Sequence, residues 1–206
     1  MSRSQKGFTI TELMIATSVF SIILLVGSAA FVTMGRSYYK GITVSQTQQV
    51  ARQIINNVSA NIRLGSSVSS LNTASQSRYF YCVGGKRYTF QLYKMLDTSS
   101  KNTTNNFGLL VDEPSGDGCG NPYDAPVMAL SNPTELLANN MRLLAFSITP
   151  VGTGSAYTVS VTVAFGQDSV LTDPNSASAE CTGLGNQTQF CAVTRLSTVV
   201  YQGVSV

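Results

Sequence analysis

From Leu13 to Met34 the chain runs for 22 residues without a charged side chain, and no other feature restricts its fold so strongly. A hydrocarbon core about 30 Å thick is crossed by roughly 20 helical residues rising 1.5 Å each, so the run is long enough to span a membrane as a helix. No proline occurs before Pro114, which leaves Gly27 and Gly35 as the weak points of that helix. Glu12 stands where the apolar run begins. An ionised carboxylate within hydrocarbon costs roughly 2.5–3.5 kcal/mol even on the lenient insertion scale, so it needs a partner or a neutral form. No Lys, Arg or His lies between Leu13 and Gly35 to serve. A cut between Gly7 and Phe8 would create the nearest cation, a new α-amino group one helical turn from Glu12 or beside the Glu12 of a neighbouring chain.

The sequence Lys6-Gly7-Phe8-Thr9-Ile10-Thr11-Glu12 closely resembles the leader of type IV pilins and pseudopilins. The likeness covers about the first 30 residues. It combines a short basic leader, a Gly before a Phe, a Glu at the fifth position beyond the cut, and an apolar run. The resemblance implies that a prepilin peptidase cuts after Gly7 and N-methylates Phe8, and that Glu12 neutralises a neighbouring N-terminus as subunits assemble. Two other readings compete. Arg3 and Lys6 with Ser28-Ala29-Ala30 would make an ordinary secretory signal, with a mature chain starting at Phe31. A plain signal anchor would make Glu12 an interfacial residue. Neither accounts for Gly7-Phe8 and Glu12 together.

Beyond the apolar run, Val50, Ile54, Val58 and Ile62 recur every fourth residue with Ala51 and Ile55 beside them, while Arg52, Gln53, Asn56 and Asn57 lie off that face. This is the period of an amphipathic helix, so one helix is expected from Phe8 to about Leu64. The resemblance implies an α+β, pilin-like fold: a long N-terminal helix packed against an antiparallel β-sheet head. The expected divisions are a leader at 1–7, a transmembrane and filament-core half-helix at 8–34, an amphipathic half-helix at 35–64, and a head at 65–206.

Within the head, Gly65 to Ser77 reads as a polar loop. Arg78 to Val83 and Arg87 to Tyr93 read as strands of an aromatic-dense hairpin about Gly84-Gly85, with one face packed on the helix. Phe107 to Val111 is a further strand, and Asn132-Pro133-Thr134-Glu135 offers an N-terminal cap for a short helical turn through about Asn139. Arg142 to Val151 and Ala156 to Phe165 read as a second hairpin, the latter alternating strictly at Val159, Val161, Val163 and Phe165. Phe190 to Val206 supplies a closing strand. The element order resembles that of the larger minor pseudopilins of the J-type and W-type group.

Cys82, Cys119, Cys181 and Cys191 all follow the anchor, which places them on the oxidising side of the membrane and predicts two disulfides. Three pairings are possible. Cys181–Cys191 closes a short Gly/Asn/Thr/Gln loop and is preferred, leaving Cys82–Cys119. Zinc is disfavoured, because the chain has no histidine and no CxxC spacing. Asp112, Asp117 and Asp124, in a Gly/Pro/Asp region, are calcium candidates, although their spacing is not that of an EF-hand.

Removing Arg3 and Lys6 from 13 basic side chains leaves 11 against 10 acidic ones, a poor footprint for nucleic acid. The adjacent Lys86-Arg87 pair reads as a solvated turn. Without histidine the usual Ser-His or Cys-His nucleophile activation is absent, and no cofactor motif is present, so the expectation is a structural subunit rather than an enzyme. Its expected partners are other pilin subunits through the N-terminal helix, the prepilin peptidase, an inner-membrane assembly platform, and lipid before assembly. The expected location is a single membrane pass with the head outside the cytoplasm, then a surface pilus or periplasmic pseudopilus. An adhesin or DNA-uptake tip module is the alternative, and a secreted or anchored β-rich domain outside the pilin pathway is another.

Overall fold

The computed structural model describes residues 7–64, 68–73, 78–96, 107–114, 119, 130–152, 155–182 and 188–203. Two compact units divide the chain, Met1–Tyr39 and Lys40–Val206. One helix, α1 (Ile10–Arg63), belongs to both and continues through Gly27 and Gly35.

The second unit is built on the aliphatic stripe of α1. Ala51, Ile54, Val58 and Ile62 are fully enclosed and Ile55 nearly so. Burying side chains of this size contributes about 1.5–3 kcal/mol each. Two antiparallel sheets supply the other walls of this core. The first contains β1 (Val68–Thr73), β2 (Arg78–Val83), β3 (Lys86–Gln91), β4 (Leu109–Asp112) and β5 (Thr134–Glu135), in that spatial order. It presents Val83, Tyr88, Phe90 and Leu109 to the core. The second contains β6 (Met141–Val151), β7 (Ala156–Phe165) and β8 (Ala192–Tyr201), also in chain order, and presents Leu143, Phe146, Val159, Val161, Val163 and Val200. Among the described residues the head has two sheets, joined by an isolated parallel bridge between Leu92 and Leu143.

Local chemistry explains these elements. Gly84 and Gly85 both lie in the left-handed region, with φ of 65° and 74°, as the tight turn between β2 and β3 requires. A bulge between Leu143 and Ala145 shifts the inward register of β6 from Met141 and Leu143 to Phe146 and Ile148. It also sends Leu144 into a separate small cluster with Ala164, Val170, Leu171, Ala179 and Cys191. Gly166 has φ of 126°, and a Cβ there would stand 2.8 Å from the Phe190 carbonyl oxygen, so only glycine lets these two segments approach.

Three sequence expectations are corrected. Part of the expected loop at Gly65 to Ser77 is the edge strand β1, whose Ser, Asn and Thr residues hide the strand pattern but pair residue for residue with β2. No helical turn follows Asn132. Thr134 and Glu135 pair with Val111 and Leu110, and the Glu135 carboxylate accepts from the amides of Gly108 (2.9 Å), Leu109 (2.8 Å) and Leu137 (3.0 Å) instead of capping a helix. Arg87 is not solvated. It is 4% exposed, opposite Asp112 on the neighbouring strand, and its Nε and Nη2 donate to both Asp112 oxygens. Lys86, beside it, pairs with Glu113 at 3.2 Å.

Disulfides join Cys82 to Cys119 and Cys181 to Cys191. The second loop is also tied to α1, since Lys40 Nζ donates to the carbonyls of Thr188 and Cys191, and Thr43 Oγ1 donates to that of Gln189. Deeper in the core the Tyr88 hydroxyl, on a fully buried ring, donates to Asn57 Oδ1 at 2.6 Å and accepts from Asn61 Nδ2 at 2.7 Å.

Burial raises the Tyr88 pKa from 10 to about 12, against the smaller opposing effect of the Asn61 hydrogen bond. The folded state thus disfavours the phenolate. This contribution is complete below pH 10 and is lost as the pH rises from 10 through 12, by about 2–3 kcal/mol in all. Urea unfolding of the wild type is expected to shift to lower midpoints across that window, and Tyr88→Phe is expected to flatten the change while lowering stability near neutral pH by about 1–2 kcal/mol.

Candidate functional site

The N-terminal unit has the opposite economy of polar and apolar groups. Side chains from Leu13 to Met34 are almost all exposed, including Leu25 at 71% and Phe31 at 78%, and the most apolar window has a mean hydropathy of 2.3 with none of it buried within the protein. The helix is long and apolar enough to cross a membrane. Lipid contact also demands that polar groups be satisfied internally. Every hydroxyl in the run meets that demand: Thr17 donates to the Leu13 carbonyl, Ser18 to Ile15, Ser21 to Thr17, Ser28 to Leu25 and Thr33 to Ala29, at 2.8–3.0 Å. Ser or Thr within an apolar helical run is itself the sequence signal for such bonding to the preceding turn.

At the head of the helix, Thr9 and Glu12 form a reciprocal cap. Thr9 Oγ1 accepts from the Glu12 amide at 3.3 Å, while Glu12 Oε2 accepts from both the amide and the hydroxyl of Thr9 at 2.9 Å. The Thr-x-x-Glu spacing is the signature of a capping box, and Glu12 carries it out with one oxygen. Oε1 accepts no bond from any described residue. Next along the chain toward the N-terminus, Phe8 is 82% exposed, and a Cβ built on Gly7 would meet nothing within 4 Å. Among the described residues nothing demands glycine at position 7.

At the other end of the apolar run stand Arg36, Tyr38 and Tyr39, both tyrosines well exposed with ring centroids 6.2 Å apart. Cation and aromatic side chains in this position match the belt found at membrane–water interfaces. The sequence signal was present in Arg36-Ser37-Tyr38-Tyr39 and was not read.

Of the calcium candidates, Asp112 is corrected: its side chain is fully enclosed and its carboxylate is committed to Arg87 and to the Ser131 amide at 3.0 Å, leaving it no room as an open ligand. Asp117 and Asp124 lie outside the described residues. Among the described residues no three His, Cys, Asp or Glu side chains gather as a metal site.

Residues 2–28 match the family described as the prokaryotic N-terminal methylation motif. Comparison with curated proteins and with solved structures finds no match.

The cap generates a direct test. Thr9→Ala removes the hydroxyl that receives the Glu12 amide, and losing such a cap costs about 1 kcal/mol. Amide exchange at Glu12 and Leu13, followed in detergent micelles, is expected to quicken about fivefold, with exchange beyond Gly27 unchanged.

Proposed function

We propose, from the premise that this chain is a type IV pilin-like subunit, structural and non-enzymatic as its methylation motif implies, that it enters a pilus-like filament as a minor subunit. The maturation steps are cleavage between Gly7 and Phe8 and N-methylation of Phe8. Before assembly the apolar helix holds the protein in the membrane with the head on the extracytoplasmic side. During assembly the lipid-facing side chains from Leu13 to Met34 exchange lipid for the helices of neighbouring subunits.

The observation that carries this reading is the state of Glu12. Its Oε2 is used in capping the helix, which holds the carboxylate at the entrance to the apolar run, and its Oε1 is left to receive a charge. The methylated amine of Phe8, its own or a neighbour's, is the cation of matching position. Pairing there offsets a carboxylate penalty of roughly 2.5–3.5 kcal/mol in hydrocarbon. That gives assembly a polar register within an otherwise non-directional apolar bundle. The assignment to a minor subunit, acting at the tip or in initiating assembly, is supported by the order of elements in the head: helix, hairpins and a closing strand.

Intact-mass and N-terminal peptide analysis of protein from cells with its own processing machinery is expected to show a chain starting at Phe8 and heavier by one methyl group. A start at Phe31 would overturn the maturation scheme. Glu12→Leu is expected to leave export and head folding intact while reducing incorporation into sheared filaments by about tenfold or more, and wild-type incorporation would remove the proposed role of Glu12.

A further inference from the structure

The second sheet ends on β8, and that edge carries none of the devices that guard the sheet's other edge. β8 pairs with β7 over all ten residues, Ala192–Tyr201, and no described strand lies on its other side. An edge of this length presents a row of unpaired amides and carbonyls to which another strand can add, unless charge, proline or a covering segment prevents it. On β6 it is prevented: the Tyr93 and Leu96 amides donate to the carbonyls of Leu143 and Met141, and Pro150 stands near the far end. β8 has no proline or glycine. Its one charge, Arg195, is engaged at the disulfide end, where Nη2 donates to the Ala179 carbonyl at 3.0 Å and Nη1 lies 3.9 Å from Glu180. Residues 196–201 are left without a guard.

Exposure agrees. Val159 and Val161 of β7 are enclosed, at 0% and 1%, whereas the residues opposite them on β8, Thr198 and Leu196, are only half-buried. The same inward row is sealed on the inner strand and open at the edge. On the outer face Val199 is 51% exposed and Tyr201 72%.

We propose that residues 196–200 of β8 pair antiparallel with the same residues of a second copy of this chain, about a twofold axis at Thr198. That centre sets Leu196 opposite Val200 on the core face, Ser197 opposite Val199 on the outer face, and Thr198 opposite its own copy, and matched pairs of these kinds stabilise a ladder. Moving the centre to Val199 sets Leu196 against Gln202, beyond the end of the strand. With the axis at Thr198 the partner's strand ends at Tyr201 opposite Arg195, short of the Cys181–Cys191 loop, and the two Arg195 charges stand at opposite ends of the pairing. The occupant is a copy rather than a foreign strand because residues 196–201 hold no charge for a foreign sequence to match, while the strand complements itself. Isologous pairing also consumes both free edges at once. The two three-stranded sheets become one, bounded on each side by a guarded β6, so growth stops at two copies.

The test uses the full chain in detergent micelles, with mass followed by sedimentation equilibrium across a range of protein concentrations and amide exchange followed residue by residue. The wild type is expected to reach a dimer, with alternate amides within 196–200 exchanging more slowly as it forms. Thr198→Lys and Thr198→Glu each set like charges face to face at the axis, and each is expected to weaken the dimer about tenfold or more with circular dichroism unchanged. Mixing the two variants is expected to restore it, since lysine then faces glutamate. Should either variant fail to fold, the exposed positions that face each other carry the same test: Ser197→Lys with Val199→Lys, mixed with Ser197→Glu with Val199→Glu. A wild type that stays monomeric overturns the proposal, and slow exchange at 196–200 in that monomer would put a segment of the same chain on the edge. A dimer that withstands both Thr198 variants overturns it too, placing association on another surface such as the apolar helix. Variants that weaken the dimer singly and do not recover on mixing overturn the axis at Thr198. None of these readouts depends on leader cleavage or filament formation.

Discussion

The head depends on one strip of aliphatic contact, the face of α1 formed by Ala51, Ile54, Ile55, Val58 and Ile62. The described strands make two separate sheets, of five and three strands, and a sheet with one apolar face must cover that face with something. The helix stripe serves both, together with aromatic packing between them, where Phe146 of the second sheet meets Tyr81 and Phe90 of the first edge-on at 5.5 and 5.2 Å. Remove the stripe and neither inner face has a complete cover.

Polar groups then hold particular segments in place. Arg87 and Asp112 face each other across β3 and β4, and the Asp112 carboxylate also takes the Ser131 amide, so a buried charge pair binds the returning chain to the sheet. Such a pair adds little net stability relative to an apolar replacement, but leaving either partner alone in that setting is strongly unfavourable. Tyr88 does similar work between the sheet and the helix through Asn57 and Asn61. Lys40 and Thr43 bind the carbonyls of the Cys181–Cys191 loop, so that disulfide is anchored to the helix as well as closed on itself. These bonds select one arrangement from the several that apolar burial alone would permit.

The N-terminal unit follows a different rule, since none of its described residues is buried. Its side chains from Leu13 to Met34 are apolar outward, its hydroxyls bond to their own preceding turn, and its leading amides are met by the Thr9–Glu12 cap. Its hydroxyls and capped amides are satisfied locally, Glu12 Oε1 is left open, and the apolar surface is left for the surroundings. That is the requirement for a helix that lies in lipid and for one that packs among other helices, so a single segment suits both environments.

Features governed by residues near in sequence were legible without coordinates. The uncharged run, the Gly7-Phe8 and Glu12 spacing, the four-residue stripe of α1, the Gly84-Gly85 turn and the alternation of β7 each depend on periodicity or local backbone preference, which a linear chain displays directly. Tertiary structure decided what depends on partners far along the chain. Glu135 has the spacing of a helix cap but spends its oxygens on the amides of Gly108 and Leu109, so a strand replaces a turn. Arg87 reads as surface beside Lys86 until Asp112 is brought opposite it, and Asp112 reads as a calcium ligand until Arg87 takes its oxygens. The polar strand β1 exists because β2 offers it a ladder. Arg142 belongs in the same class: a cation that composition assigns to solvent lies within the fold, because the bulge in β6 and the turn at Gly166 close around it. A buried charge is placed by the whole three-dimensional balance of desolvation against hydrogen bonds, and no local pattern carries that balance.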